Sequence, residues 1–183
     1  MKKNLILPVL LGICLSISSV SNAQNTVEKG SIIFNAGVGI GNEYNSNYYN
    51  SALGTKAAIE VGLWQAGPGV VTLGGQAGVT FSNGGGTLDN YKTHTFIVGG
   101  RSAWHNGWNV NGLDTYIGLS AGAGFNQYSY SNNENVKVKQ NEVIPVFGGF
   151  VGASYFITPT LGINIEAGRD ITQVQGGIIL KIK

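Results

Sequence analysis

Four charged side chains of the 183-residue chain fall at one phase of an alternating pattern, inside segments that are otherwise apolar or small: Lys56, Glu60, Arg101 and Glu166. The chemistry such a set performs is pairing. The planar fork of Arg101 matches carboxylates on either side of it, and Lys56 adds a compact positive charge. Glu60 precedes Trp64 by four residues, Arg101 precedes Trp104 by three, and Glu166 follows Leu161 by five. That spacing predicts one common level for the three, with Arg101 bridging both glutamates and Lys56 capping the cluster a level above. Asp114 falls nearer a segment end, at the rim.

Other residue types that could do chemistry lack the company they need. His94 and His105 suggest a metal pair, but no Cys, carboxylate or third His is spaced with them in sequence, so both are expected as interfacial or loop residues. His94 and Ser102 lie eight positions apart along one segment, too far for a base to reach a nucleophile. Gly37-Val38-Gly39-Ile40-Gly41 lacks the helix of a dinucleotide fingerprint, and Gly84-Gly85-Gly86 lacks the Lys-Ser/Thr pair of a phosphate loop. No cofactor, metal or catalytic centre is expected.

The elements that carry the charges have a period of two. From Ser31 to Gly41 one face reads Ile32, Phe34, Ala36, Val38 and Ile40, and the other is mostly small or polar. In 53–64, Leu53, Thr55, Ala57, Ile59, Val61 and Leu63 oppose Gly54, Lys56, Ala58, Glu60, Gly62 and Trp64. Continuing along the chain predicts eight strands: 31–41, 53–64, 70–81, 93–104, 113–125, 143–156, 160–169 and 172–182. Most are about twice the usual strand length of roughly 5 or 6 residues. A tilted strand needs about 9 to 11 residues to cross the hydrocarbon layer, and at that depth only a closed barrel pairs every backbone group. Eight strands make the smallest such barrel. A charge facing lipid would cost about 2 to 4 kcal/mol, so Lys56, Glu60, Arg101 and Glu166 are expected in the lumen.

The expected fold is therefore an all-β, eight-stranded antiparallel up-and-down transmembrane barrel. Long links near 42–52, 82–92 and 126–141 should face outside the cell, and short ones near 65–69 and 157–159 the periplasm, with 105–112 intermediate and the link around Asp170 a short exception on the outer side. Trp64, Trp104 and Trp108 fall at periplasmic strand ends, where an aromatic girdle belongs. Tyr44, Tyr48, Tyr49, Tyr128 and Tyr130 fit either an upper girdle or an adhesive external surface. The 29 glycines weaken strands, but on the inner face of a narrow barrel they leave room for longer neighbours.

The N-terminal stretch reads as a cleaved signal peptide: Lys2 and Lys3, an apolar run from Leu5 to about Val20, then Ser21-Asn22-Ala23. Residues 1–23 are set apart, and 24–183 form the barrel domain. Ile13 before Cys14 argues against a lipoprotein anchor. Cleavage removes Lys2 and Lys3, taking eleven Lys and Arg to nine against nine Asp and Glu, so the mature chain is neutral and offers no basic footprint for nucleic acid. Charged residues are only 11% of the chain, far below a soluble domain's share of about 25%. Its one Cys departs with the signal, leaving no disulfide.

Three passages carry a family likeness: Gly100-Arg101-Ser102-Ala103-Trp104-His105 leading to Leu113-Asp114-Thr115-Tyr116-Ile117-Gly118; Gly152-Ala153-Ser154-Tyr155-Phe156 leading to Thr158-Pro159-Thr160-Leu161-Gly162; and Glu166-Ala167-Gly168. Across nearly the whole mature chain the sequence resembles the small OmpX/OmpA-like outer-membrane barrels of Gram-negative envelopes. The resemblance implies a monomeric barrel whose lumen is filled by side chains, with charged clusters that act like a plug or gate. The chain departs from it at Ile182-Lys183, where the family closes on an aromatic residue that belongs to its assembly signal.

Function follows less directly than fold. The reading is an integral outer-membrane protein with a structural or interaction role, in contact with outer-membrane lipid, presenting external loops to a partner and offering at most a narrow gated pore. Two alternatives stand beside it. A soluble lipocalin-like carrier of a small apolar ligand would also use eight strands, with the apolar face turned inward. A lipid-modifying barrel enzyme would need Ser, His and a carboxylate brought together at a lipid-facing groove.

Overall fold

A computed structural model describes residues 26–41, 53–85, 90–131 and 137–183. The signal segment 1–23 and Cys14 lie outside the described residues, as do Tyr44, Tyr48 and Tyr49 and the side chains of Tyr128 and Tyr130. The described residues form eight strands: β1 (Ile32–Ile40), β2 (Leu53–Ala66), β3 (Gly69–Gly85), β4 (Asn90–Asn106), β5 (Leu113–Ser131), β6 (Lys137–Phe156), β7 (Leu161–Arg169) and β8 (Val174–Lys181). Each pairs antiparallel with the next, and β8 pairs with β1 to close the barrel. The closure runs to the end of the chain. Ile182 donates its backbone N–H to Ile32 O at 2.8 Å, and Ile32 donates to Lys183 O at 2.9 Å.

The polarity of the barrel is inverted relative to a water-soluble domain. Asn35, Lys56, Glu60, Thr72, Gln76, Arg101 and Glu166 are buried inside, while Val38, Ile59, Leu73, Phe96, Leu119, Phe147 and Ile163 stand exposed outside. Alternation along β2 shows the cause. Gly54, Lys56, Ala58, Glu60 and Gly62 turn into the lumen, and Leu53, Thr55, Ala57, Ile59 and Val61 turn away from it.

Strict alternation fails in one place that bears on an expected site. A register shift between Gly62 and Trp64 inserts an extra residue into β2. Extending the period of two would leave Trp64 on the lumen side, whereas the bulge rotates it to the outer surface, where it is 57% exposed.

The middle strands also run further than the alternation predicts. β5 reaches Ser131 rather than ending near residue 125, and β6 begins at Lys137 rather than 143. Links expected at 82–92 and 126–141 are therefore largely strand. Beyond a lipid layer neither face of a strand must be apolar, so the periodic signal stops before the backbone pairing does.

Apolar clusters sit at both ends of the lumen. At the end holding Thr26 and Lys183, Val27 packs with Ile33, Phe156 and Ile179. Thr26 ties this segment to the barrel by donating its hydroxyl to Leu113 O at 3.1 Å, and Gly30 donates its N–H to Gly62 O at 2.8 Å. At the other end Ile171, from the link 170–173, packs with Ile97 and Val146. The ionic side chains lie between these two caps, shielded from bulk water.

Candidate functional site

The inner charges form one connected system. Arg101 on β4 places Nε 2.9 Å from Glu60 Oε1 and Nη2 2.9 Å from Glu166 Oε2, so its fork spans carboxylates from β2 and β7. Its guanidinium lies over the Phe150 ring, 4.0 Å from the centroid, and Nη1 donates to Gln76 Oε1 at 3.3 Å. Lys56 pairs with Glu166 and, at 2.7 Å, with Asp170. All of these side chains are almost fully buried, a setting in which unpaired charge is expensive and paired charge is held firmly.

Glycines set the reach of these contacts. Glu60, Gly74 and Arg101 are register neighbours on β2, β3 and β4. A Cβ on Gly74 would come within 2.7 Å of Glu60 Cα, so the absent side chain leaves the gap that Arg101 crosses. Tyr116, Gly152 and Glu166 repeat the device on β5, β6 and β7. Across Gly152, Tyr116 donates its hydroxyl to Glu166 Oε2 at 3.1 Å.

Several members of the system were not expected in it. Asp170, in the short link after β7, folds into the lumen instead of facing solvent. Its carboxylate accepts from Gln76 Nε2 at 2.8 Å, from Ser120 Oγ at 2.8 Å and from Lys56. Burial alone would raise the pKa of Asp170, but the Lys56 ammonium and these donors outweigh it and hold the carboxyl below its ordinary range. Nothing in sequence marked it except an acidic residue in a tight link.

His105 corrects the expectation of an interfacial or loop residue. It is buried on the lumen side of β4, stacks on Tyr116 at 4.9 Å between centroids, and puts Nδ1 2.9 Å from Asp114 Oδ2 and Nε2 3.7 Å from Glu60 Oε2. Asp114 is thereby a buried member of the network rather than a rim residue. His94 does face outward, edge-on to Phe81 at 5.2 Å. The two histidines sit on opposite faces of β4, and among the described residues no group of three or more His, Cys, Asp or Glu is placed to hold a metal.

Nor, among the described residues, is Ser102 brought to a histidine as a nucleophile to its base. Both ring nitrogens of His105 point at carboxylates, and Ser102 donates its hydroxyl to Thr72 O at 2.7 Å.

The three tryptophans gather at the end of the barrel that holds Thr26 and Lys183. Trp64 and Trp104 both pair with Val71 in register, and Trp104 meets Trp108 edge-on at 6.3 Å. Their polar edges are tied down: Trp104 donates Nε1–H to Ala66 O at 3.0 Å, and Trp108 donates to Thr115 Oγ1 at 2.6 Å.

No protein-family model matches the chain, and no curated protein matches it. Among solved structures, Ail, the attachment invasion locus protein of Yersinia pestis, aligns over 84% of this chain and 95% of its own at 13% identity, with a TM-score of 0.46. The Neisserial surface protein A aligns over 83% of this chain and 96% of its own at 13% identity and a TM-score of 0.37. The beta domain of the Bordetella autotransporter BrkA covers 76% of this chain and 58% of its own at 18% identity and a TM-score of 0.39. The likeness is one of fold.

Proposed function

We propose that this chain is an integral outer-membrane barrel that serves as a scaffold: its outer surface sits in lipid, its links 42–52, 86–89 and 132–136 meet the exterior, and its lumen is closed by the ionic network. The observation that carries the reading is the inverted polarity. A belt of exposed Val, Leu, Ile and Phe surrounds buried Lys56, Glu60, Arg101, His105, Asp114, Glu166 and Asp170. In water that arrangement would expose a continuous apolar surface and bury charge for no return, whereas in lipid both choices lower the free energy. The same polarity speaks against an apolar-ligand carrier, whose interior would need to be the apolar side. His105, with Nδ1 held by Asp114 and Nε2 turned toward Glu60 rather than a hydroxyl, speaks against a hydrolytic enzyme.

The position of the tryptophans supports the terminal end as one lipid boundary, and the long β3–β6 strands support projection of the other end past the lipid. With both ends of the lumen capped by apolar side chains, any conduction requires the network to rearrange. Alkaline carbonate extraction of washed membranes tests the reading: the chain stays with the membrane pellet. Recovery as a folded, soluble monomer would replace it with the carrier.

A further inference from the structure

A second polar feature lies beside the network. Asp114, Ser154 and Asn164 are successive register neighbours on β5, β6 and β7, and all three are buried on the lumen side. Each leaves an oxygen with no hydrogen-bond partner: Asp114 Oδ1, Ser154 Oγ and Asn164 Oδ1. The rest of each side group is anchored where it can be. Asp114 Oδ2 faces His105 at 2.9 Å, and Asn164 directs its Nδ2 toward the Tyr116 hydroxyl at 3.5 Å, which turns Oδ1 the other way. Other buried orphans, such as Asn35 Oδ1, Thr80 Oγ1 and Gln175 Nε2, have no orphaned residue paired to them. Directly paired strand residues on one face stand about 5 Å apart, so Ser154 lies beside both Asp114 and Asn164 and links their free oxygens in one row.

Charge balance says what that volume lacks. The buried carboxylates among the described residues are Glu60, Asp114, Glu166 and Asp170, against Lys56 and Arg101. The lumen is left with two uncompensated negative charges when His105 is neutral and one when it is an imidazolium. A water molecule could donate to Asp114 Oδ1 and Asn164 Oδ1 and accept from the Ser154 hydroxyl, but it would leave the charge, and buried charge without a partner is strongly disfavoured. A divalent calcium ion takes about 6 to 8 oxygen ligands and usually several carboxylates, more than this site offers.

From the run of free oxygens and the negative lumen, we infer that Asp114, Ser154 and Asn164 form an internal site for a small monovalent cation of the sodium type, seated between β5 and β7. The site needs only the closed, polar lumen, so its test is independent of what the external links contact.

The test compares the mature chain, folded in neutral detergent, in sodium chloride and in choline chloride at equal ionic strength. Sodium raises the unfolding midpoint saturably, by about 3–6 °C for a domain of this size. Sodium-23 relaxation broadens on adding the protein. Each variant is read as its own sodium-minus-choline difference, so that a general loss of stability drops out. Asp114→Asn abolishes the difference, Ser154→Ala reduces it, and Asn164→Asp enlarges it. Should Asp114→Asn fail to fold, the opposite signs of the Ser154 and Asn164 variants decide. A midpoint indifferent to sodium, with no broadening, would overturn the site and leave water and a protonated carboxyl to fill the lumen.

Discussion

Replacing Arg101 with Met keeps an unbranched apolar stem but removes the charge between Glu60 and Glu166 and the guanidinium over Phe150. The two carboxylates do not suffer equally. Glu166 keeps Lys56 and the Tyr116 hydroxyl at 3.1 Å, whereas Glu60 keeps only the Thr72 hydroxyl at 2.5 Å and His105 at 3.7 Å. One carboxylate is thus orphaned rather than two. Orphaning a buried partner costs about 3–5 kcal/mol, and the second, better-supported glutamate places Arg101→Met at the lower part of that range. Loss of the guanidinium over Phe150 contributes about 1 kcal/mol more, offset in part by the thioether against the same ring. The triple variant Glu60→Gln, Arg101→Met, Glu166→Gln removes charge and counter-charge together and is expected within about 1–2 kcal/mol of the parent. Glu60→Gln combined with Arg101→Met should already recover most of the loss. Urea unfolding and refolding in lipid vesicles, followed by fluorescence of Trp64, Trp104 and Trp108, measures these differences. Planar-bilayer recording of Arg101→Met should show openings that the parent lacks. Equal stability of the single and triple variants, with an equally silent bilayer, would refute both the coupling and the plug.

Two further outcomes follow from particular contacts. Because the Asp170 carboxyl is held below its ordinary range, its contribution is present in full above the unfolded value near pH 4 and is lost as pH falls through the lower folded value. Asp170→Asn should therefore lower stability at neutral pH and flatten the decline of the urea midpoint as pH falls below about 4, and an unchanged slope would count against the Lys56 contact. Gly74→Ala drives a Cβ into the β2 backbone, while at Gly75, on the outer face, the nearest atom is Gly99 O at 3.6 Å. The first should cost about 1–3 kcal/mol or prevent folding and the second should be near neutral, as heat-dependent gel mobility of the refolded proteins can show.

Several features of this protein were legible from residue order alone. Alternation in 31–41, 53–64 and 113–125 is a local property: successive side chains of a strand must point to opposite faces, so one buried face writes itself into the sequence whatever the strand pairs with. The inward phase of Lys56, Glu60, Arg101 and Glu166 follows by the same logic, and so does the number of strands. Where the alternation lost its cause, so did the reading. β3 to β6 run on beyond the alternating stretches, and their ends could not be placed from periodicity.

What tertiary structure alone decided depends on register and shear, which no local pattern encodes. Lys56 and Asp170 are 114 positions apart and meet because the barrel closes β8 onto β1 and folds the link 170–173 back into the lumen. His105 shares the inward phase of Arg101, but only the structure shows that β4 runs on to Asn106 and that its pairing with β5 brings the ring onto Tyr116 and Asp114. Trp64 reached the outer surface through one extra residue beside Gly62, because a bulge reverses the phase of all that follows it. Composition and period determine which face a side chain occupies; which charges touch across that face is settled only when all eight strands have chosen their partners.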